Sequence, residues 1–201
     1  MKRISILLLI SIVVSCSDSR KNSSSLPGRL GNPEMSLIND PRAIPAVTKV
    51  MSDFDLDSLA PDPPISIEAT QKEKVDYMTS LESKYEEVFE SLFSELSEVN
   101  GVERFTKTID GIDGNKIKLY IHKPEKQKSN IPGILHIHGG GMSILKAKNP
   151  NYIRWRDDLA STGLIVVGVE FRNVAGELGS HPFPAGLNDC SSALQWMFDN
   201  K

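Results

Sequence analysis

Residues 131–141 read Ile-Pro-Gly-Ile-Leu-His-Ile-His-Gly-Gly-Gly, an apolar run that ends in three consecutive glycines. The part from Gly133 to Ile137 is typical of a strand in a sheet that is buried on both faces. Glycine has no Cβ, so a turn at 139–141 lets backbone N–H groups approach a ligand atom closely. Ligands bind at the carboxyl ends of such strands in open α/β sheets. The stretch therefore predicts an α/β fold with a candidate binding turn.

The surrounding residues alternate between strand and helix patterns, as in an α/β sheet with an antiparallel edge. A hairpin is expected first, because the turn sequence Gly111-Ile-Asp-Gly114 separates two alternating stretches. Asn149-Pro150 is typical of a helix start and Gly163 of a helix stop. The predicted strands are 103–109, 116–122, 133–137 and 164–169, and the predicted helices after the glycine turn are 150–162 and 184–199.

A long helix is predicted over residues 69–99, because apolar side chains recur there every three or four positions. Its other face is acidic, since residues 68–98 contain nine Asp or Glu residues against three Lys. We interpret that face as solvent-exposed. The apolar stripe either packs on the core or belongs to a lid. A shorter helix is expected over 44–51, so that residues 31–100 form a helical cap region.

Composition and charge exclude several classes of protein. The chain has 201 residues and a formal net charge of −3, with no basic stripe, so nucleic acid is not an expected partner. Two cysteines do not make a disulfide framework, and Cys190 is expected to be buried packing.

His136 and His138 share a strand face, but no third ligand is suitably placed for zinc. The glycines lack the sequence context of a phosphate-binding loop. No metal or other cofactor is expected.

The first residues have the pattern of a targeting sequence. Lys2 and Arg3 precede an apolar run over 4–14, which is too short to span a bilayer comfortably. Val13-Val14-Ser15-Cys16 resembles the lipobox of bacterial lipoproteins, in which lipid is attached to the cysteine after cleavage; an ordinary secretory signal is the alternative. The resemblance implies a signal peptide at 1–15, a lipid anchor on Cys16 that binds the membrane, and a flexible tether at 16–30. The expected location is the bacterial cell envelope, either the membrane or the periplasm.

Three motifs in the second half of the chain resemble one enzyme family. They are His138-Gly-Gly-Gly-Met142, Val169-Glu-Phe-Arg172 and His181-Pro-Phe-Pro-Ala-Gly-Leu-Asn-Asp-Cys190. In this order they resemble the hormone-sensitive-lipase-like group of α/β-hydrolases, also called the α/β-hydrolase fold-3 family. The resemblance implies that residues 101–201 are the N-terminal part of an α/β-hydrolase domain. Its sheet would be incomplete, with the first four strands and flanking helices, preceded by the helical cap.

The same resemblance implies a carboxylic ester hydrolase with a Ser-His-Asp triad and a small hydrophobic ester as substrate. The oxyanion donors of the family map onto the N–H groups of Gly139 and Gly140. His138 is expected to brace the turn rather than act as a base, and Gly141 completes the motif. Two interpretations of Asp189 stay open. It either orients the oxyanion loop or is a first-turn acid favoured by the helix dipole.

The sequence contains no nucleophile in the expected context. No Gly-x-Ser-x-Gly occurs in the 201 residues, and Ser143 lacks the strand-to-helix elbow. The family's Ser, Asp and His are therefore expected beyond Lys201, with no catalytic residue of the triad within the chain. We expect the chain to be truncated before the nucleophile and inactive alone. The alternative is a non-catalytic envelope lipoprotein that retains half of the hydrolase fold.

Overall fold

A computed structural model describes residues 25–58, 61–126 and 130–201. The predicted signal peptide and Cys16 lie outside these ranges, as does most of the predicted tether. The chain separates into two compact units between Asp62 and Pro63. Within the described ranges, no helix combines the length and the apolar character needed to cross a membrane.

The first unit is built around one buried carboxylate. Short 3-10 helices lie at Gly28–Leu30 and Leu37–Asn39, and helix α1 spans Pro45–Asp53, where the sequence predicts 44–51. The Asp40 carboxylate accepts hydrogen bonds from the backbone N–H groups of Arg29 and Arg42, both at 2.9 Å. The Arg42 guanidinium also donates to it, and these bonds hold the pKa of Asp40 well below its usual range.

The second unit contains a four-stranded mixed sheet with helices on its two faces, which confirms the predicted α/β class. The strands are β1 (Val102–Asp110), β2 (Lys116–Pro124), β3 (Gly133–His136) and β4 (Ile165–Glu170), and the helices are α2 (Gln71–Phe93), α3 (Pro150–Ser161) and α4 (Ala185–Asp199). The strand order is β1-β2-β4-β3, with β1–β2 and β2–β4 antiparallel and β4–β3 parallel. The expected hairpin is therefore confirmed. Within the described residues β3 pairs with β4 alone, so its other edge is open.

The face of the sheet that packs on α4 is apolar. Side chains on β2 and β4 alternate between the two faces, and the set that points toward α4 forms the main core with helix residues. This core contains Ile117, Leu119, Ile121, Val167, Val169, Cys190 and Ala193, all buried. Burial of each larger aliphatic side chain contributes about 1.5–3 kcal/mol. Cys190 lies in this core as expected.

The opposite face, under α3, is polar and differs from the apolar strand surface that the sequence suggests. Arg156 of α3 is fully buried and donates from Nε to His122 Nε2 at 3.1 Å. It lies against Gly168 of β4, where a Cβ would come within 2.8 Å of its Nη1. Burial lowers the pKa of Arg156 to about 10. A glycine in the middle of an apolar strand thus makes room for a buried cation.

Asp157 compensates for that buried charge. Its carboxylate receives a bidentate pair of hydrogen bonds from Arg104 of β1, both at 2.8 Å. It also accepts a hydrogen bond from His122 Nδ1 at 2.7 Å. The resulting network joins α3 to β1 and β2 across the polar face of the sheet.

Helix α2 begins where a capping box forms between Thr70 and Glu73. It ends at Phe93, earlier than the predicted residue 99. After the helix the chain turns toward β1, and the Ser97 carbonyl accepts a hydrogen bond from Arg154 of α3 at 2.7 Å. This contact between distant residues holds the segment after the helix, and the apolar periodicity of the sequence does not reveal it.

Two adjacent acidic residues of α3 provide a test of the polar network. The Asp157 side chain is 2 % exposed, whereas the neighbouring Asp158 side chain is 56 % exposed and pairs only with Arg154 of its own helix among the described residues. Asp157→Ala should lower the free energy of unfolding by about 3–5 kcal/mol, because it leaves buried donors without an acceptor. Asp158→Ala should cost well under ~1 kcal/mol. Equal denaturation midpoints for the two variants would contradict this account.

Candidate oxyanion-binding turn

The glycine turn begins directly after β3 and requires glycine for steric reasons. Gly140 has φ +104° and Gly141 has φ +64°, both in the left-handed region that glycine favours. A Cβ on Gly140 would overlap the carbonyl oxygen of Ile144. Among the described residues, the N–H groups of Gly139 and Gly140 donate to no main-chain carbonyl. The turn thus presents two backbone N–H groups without main-chain acceptors beyond the carboxyl end of a strand.

His138 is fixed beside this turn. Its Nδ1 lies 2.8 Å from the Gly139 carbonyl oxygen, and its ring stacks on Phe171 with centroids 4.1 Å apart. A carbonyl can only accept, so Nδ1 carries the proton of the neutral ring. Burial lowers the pKa of His138 to about 4, so the ring is neutral at neutral pH. Its Nε2 lies 3.9 Å from Glu170, too far for a hydrogen bond.

Tyr152 covers the other side of the first glycine. A Cβ on Gly139 would come within 2.9 Å of the Tyr152 hydroxyl. The tyrosine ring lies between His138 and Phe89, with centroid distances of 5.4 and 6.2 Å. Burial raises the pKa of Tyr152, and a hydrogen bond from the Gly139 backbone opposes that rise. An oxygen atom therefore already lies next to the Gly139 amide.

The loop that follows the turn is held by buried polar side chains from several elements. Its backbone groups at 145–147 bond to Glu82 on α2, Asn149 before α3, Glu170 on β4 and Asn173 after β4. Leu145 is bonded on both sides, since its N–H donates to Glu82 at 2.7 Å and its carbonyl accepts from Asn173 at 2.7 Å. Removal of any of these four side chains would leave a backbone N–H or carbonyl group of the loop without its hydrogen-bond partner.

Asn149 and Glu170 take roles that the sequence does not reveal. Asn149 occupies the predicted N-cap position of α3 but makes no side-chain capping bond. Its amide instead accepts from the Lys146 N–H at 2.6 Å and donates to Glu86 at 2.9 Å. Glu170 accepts from the Ala147 N–H at 2.6 Å, and burial raises its pKa. Both side chains therefore bond to the loop, and Asn149 does so instead of capping α3.

Helix α2 packs on this loop, so its apolar stripe packs on buried residues, as the core-packing interpretation expects. Val75, Met78, Leu81 and Phe89 contact a second buried cluster that contains Ile144, Leu145 and Ala175. The expectation of a fully solvated acidic face is wrong at Glu82, which is 6 % exposed. Glu82 lies four residues after Met78 and therefore within the apolar stripe of the helix. This position indicates a buried side chain, although the charge alone suggests an exposed one.

Glu86 strengthens the same contact through an ion pair. The buried Lys146 ammonium lies 2.8 Å from Glu86 and also bonds to Glu177. Burial alone would lower the pKa of Lys146, but the hydrogen bonds with Glu177 and Glu86 outweigh it and raise that pKa. Both acidic and apolar residues of α2 thus attach the helix to the loop.

The interpretation of Asp189 as a first-turn acid is wrong, whereas its role in orienting the oxyanion loop stays a prediction. Asp189 is fully buried and accepts from the Arg172 N–H at 2.8 Å and from the Arg172 guanidinium. It also accepts from Asn115 at 2.9 Å. It is the fifth residue of α4, beyond the first turn. Its carboxylate ties the Arg172 segment after β4 to the hairpin loop.

The predicted residues therefore separate into two groups. His138, Gly139, Gly140 and Gly141 form one turn, whereas Asp189 supports the segment after β4. Sequence reasoning missed Glu82, Glu170 and Asn173. In the described parts of the chain, no three His, Cys, Asp or Glu side chains come together as a group that could hold a metal ion.

Comparisons with known proteins agree with this architecture. The BD-FAE family model matches residues 119–201. Carboxylesterase NlhH of Mycobacterium tuberculosis is 31% identical over 99 residues, which are 49% of this chain and 29% of that protein. Probable carboxylesterase 13 of Arabidopsis thaliana is 28% identical over 94 residues, covering 43% of this chain and 27% of that protein.

Solved structures extend the similarity toward the N-terminus. Brefeldin A esterase, described as a bacterial homologue of human hormone-sensitive lipase, superposes with a TM-score of 0.71 and 35% identity. The superposition covers 87% of this chain and 48% of that structure. Esterase Est22 gives a TM-score of 0.67 with 26% identity, covering 81% of this chain and 49% of that structure. The chain spans about half of these structures and under a third of the curated relatives. Over the part that it spans, the chain is similar to the hormone-sensitive-lipase-like α/β-hydrolases.

Proposed function

We propose that this chain provides the oxyanion-binding part of a carboxylic ester hydrolase. The observation that carries the proposal is the turn at Gly139 and Gly140, in which the positive φ of Gly140 and its contact with Ile144 admit only glycine at that position. The turn follows a parallel strand at the sheet edge where α/β enzymes bind ligands. Carboxylesterases among the relatives support ester hydrolysis as the reaction class.

The reaction would develop negative charge where these donors lie. A serine attacks the ester carbonyl, a histidine takes the serine proton, and an acid orients the histidine. The former carbonyl oxygen becomes an oxyanion, which the N–H groups of Gly139 and Gly140 stabilise. Loss of one such donor costs about 3–4 kcal/mol in transition-state stabilisation. A small hydrophobic ester is the proposed substrate class.

The proposal takes the triad from outside the 201 residues. No Gly-x-Ser-x-Gly occurs in this sequence, and His138 is buried, neutral and bonded to the turn. The alternative is a non-catalytic lipoprotein that retains half of the fold. The genomic sequence after codon 201, read in all frames, separates the two. An elbow sequence such as Gly-Asp-Ser-Ala-Gly within about 20 codons supports the enzyme.

An external nucleophile can be tested on the chain itself. The 201-residue chain should not hydrolyse p-nitrophenyl butyrate above the rate of a heat-treated sample, because it lacks an activated nucleophile. A polypeptide that extends through the elbow and through the Asp and His of the triad should hydrolyse it. Turnover by the 201-residue chain alone would refute an external nucleophile, and an inactive extended polypeptide would favour the non-catalytic alternative.

Gly140→Ala tests the turn directly, with Gly163→Ala as a matched control. Both glycines have φ +104°, but a Cβ on Gly140 overlaps Ile144, whereas a Cβ on Gly163 meets no described atom within 4 Å. In the extended polypeptide, Gly140→Ala should lower kcat at least about 100-fold. Gly163→Ala should cost about 1 kcal/mol of stability and leave kcat unchanged. Similar kcat values for both variants would argue against the oxyanion role.

We also propose that lipid on Cys16 attaches the protein to the bacterial cell envelope. The proposal is supported by the lipobox resemblance at 13–16, which lies outside the described residues. Cys16→Ser should abolish incorporation of radiolabelled palmitate in a bacterial host and release the protein from the membrane fraction. Label retained in the variant would exclude Cys16 as the lipid site, and an unmutated protein without label would indicate an ordinary secretory signal.

A further inference from the structure

We propose that Glu82 of α2 is a positioning residue that sets the geometry of the oxyanion turn, an inference that rests on the proposed function. Glu82 acts on the turn through the backbone of the following loop, not by contact with a substrate. Three observations carry the inference: the hydrogen bonds of Glu82, the backbone conformation of Leu145, and the contact between Ile144 and Gly140.

The carboxylate of Glu82 bridges two loops that are distant in sequence. One oxygen accepts the Leu145 N–H at 2.7 Å, and the other accepts the Glu177 N–H at 2.7 Å. The backbone bends closely around it, because a Cβ on Gly176 would come within 2.5 Å of the carboxylate. Both oxygens are therefore used by main-chain donors in a site that is shaped for a carboxylate.

The bond to Leu145 stabilises a conformation that leucine does not favour. Leu145 has φ +78°, in the left-handed region. A branched residue persists there only when its surroundings impose the conformation. Glu82 and Asn173 do this by bonding the N–H and carbonyl of Leu145, each at 2.7 Å.

The constraint passes from Leu145 to the glycine turn through one residue. The carbonyl of Ile144 lies directly against Gly140, at the place that a Cβ would occupy. In return, the Gly140 carbonyl accepts hydrogen bonds from Ser143 and Ile144 at 3.0 and 3.3 Å. A rotation at Leu145 therefore moves the Ile144 carbonyl and, with it, the Gly140 peptide that provides an oxyanion donor.

The bond to Glu177 secures the turn from the other side. The segment before Glu177 runs along the residues after the turn, where Val174 donates to Met142 at 3.0 Å and Ala175 donates to Ser143 at 2.8 Å. Glu82 thus holds both backbone segments that flank the turn. Loss of its charge or shape should displace the donors by a fraction of an ångström, and small misplacements of this kind lower catalytic rates strongly.

Glu82→Gln is the decisive variant. The glutamine keeps the size of the side chain, but its NH2 group faces one backbone N–H that now has no acceptor. In the extended polypeptide, kcat for p-nitrophenyl butyrate should fall about 10- to 100-fold while KM changes less than about twofold, because the substrate itself does not touch Glu82. Glu90→Gln is the matched control, with the same charge change on an exposed position of the same helix. It should leave both constants unchanged.

A second readout does not depend on catalysis. In the chain labelled with 15N-serine and 15N-isoleucine, Glu82→Gln should speed amide hydrogen exchange of Ser143 and Ile144 at least about tenfold, because their N–H groups bond to the Gly140 carbonyl. The amide of Ile165, which bonds to Pro132, should be unchanged and serves as an internal reference. If the turn amides respond but the unmutated extended polypeptide is inactive, the proposed function fails and the positioning role stands. If that polypeptide is active and Glu82→Gln alters neither kcat nor exchange, the inference is overturned.

Gly176→Ala keeps the test decisive should Glu82→Gln not fold. It leaves Glu82 intact but places a Cβ against the carboxylate. The variant should reproduce the loss of kcat, whereas Gly163→Ala, with a comparable backbone cost, should not. Full activity of Gly176→Ala would contradict the proposal.

Discussion

The contact between the Ile144 carbonyl and Gly140 is the constraint on which the candidate site depends. It fixes the second glycine in a left-handed conformation and leaves no room for any other residue. The loop that carries Ile144 makes two hydrogen bonds of its own, from Ser143 and Ile144 to the Gly140 carbonyl. It depends on buried side chains from α2, β4 and the segments beside α3 and β4. The turn is therefore a product of the tertiary structure and not of its three glycines alone.

Much of the fold follows from local sequence. Alternating and continuous apolar runs locate the four strands to within one or two residues, and Pro150 with Gly163 brackets α3. The glycine turn is equally visible, because few other residues can adopt its conformation. These features depend on steric rules that act over a few residues, which is why sequence patterns reveal them.

The parts that sequence reasoning misses are pairings between distant residues. Arg156 is buried because Gly168, on a different element, leaves space for it. Asp189 bonds to Arg172 and Asn115, and no pattern within its own helix indicates those partners. In the sequence, Glu82 looks like the other acidic residues of a charged helix, and only its hydrogen bond with the Leu145 N–H shows its different role. In each case a polar group is satisfied by a partner that periodicity cannot identify.

The second unit contains parts of unequal stability, because α2 is attached less extensively than α4. The sheet and α4 share the larger apolar core, whereas α2 is joined mainly through a small cluster and a few polar bonds. Glu82 and Leu145 are 63 residues apart, so ordering this contact closes a long loop with its own entropic cost. Such a segment is expected to open as a separate cooperative unit at lower free energy than the sheet. The binding turn would then lose its order in a state whose sheet is still folded. The free energy that keeps the turn able to bind would therefore be smaller than the free energy of global unfolding.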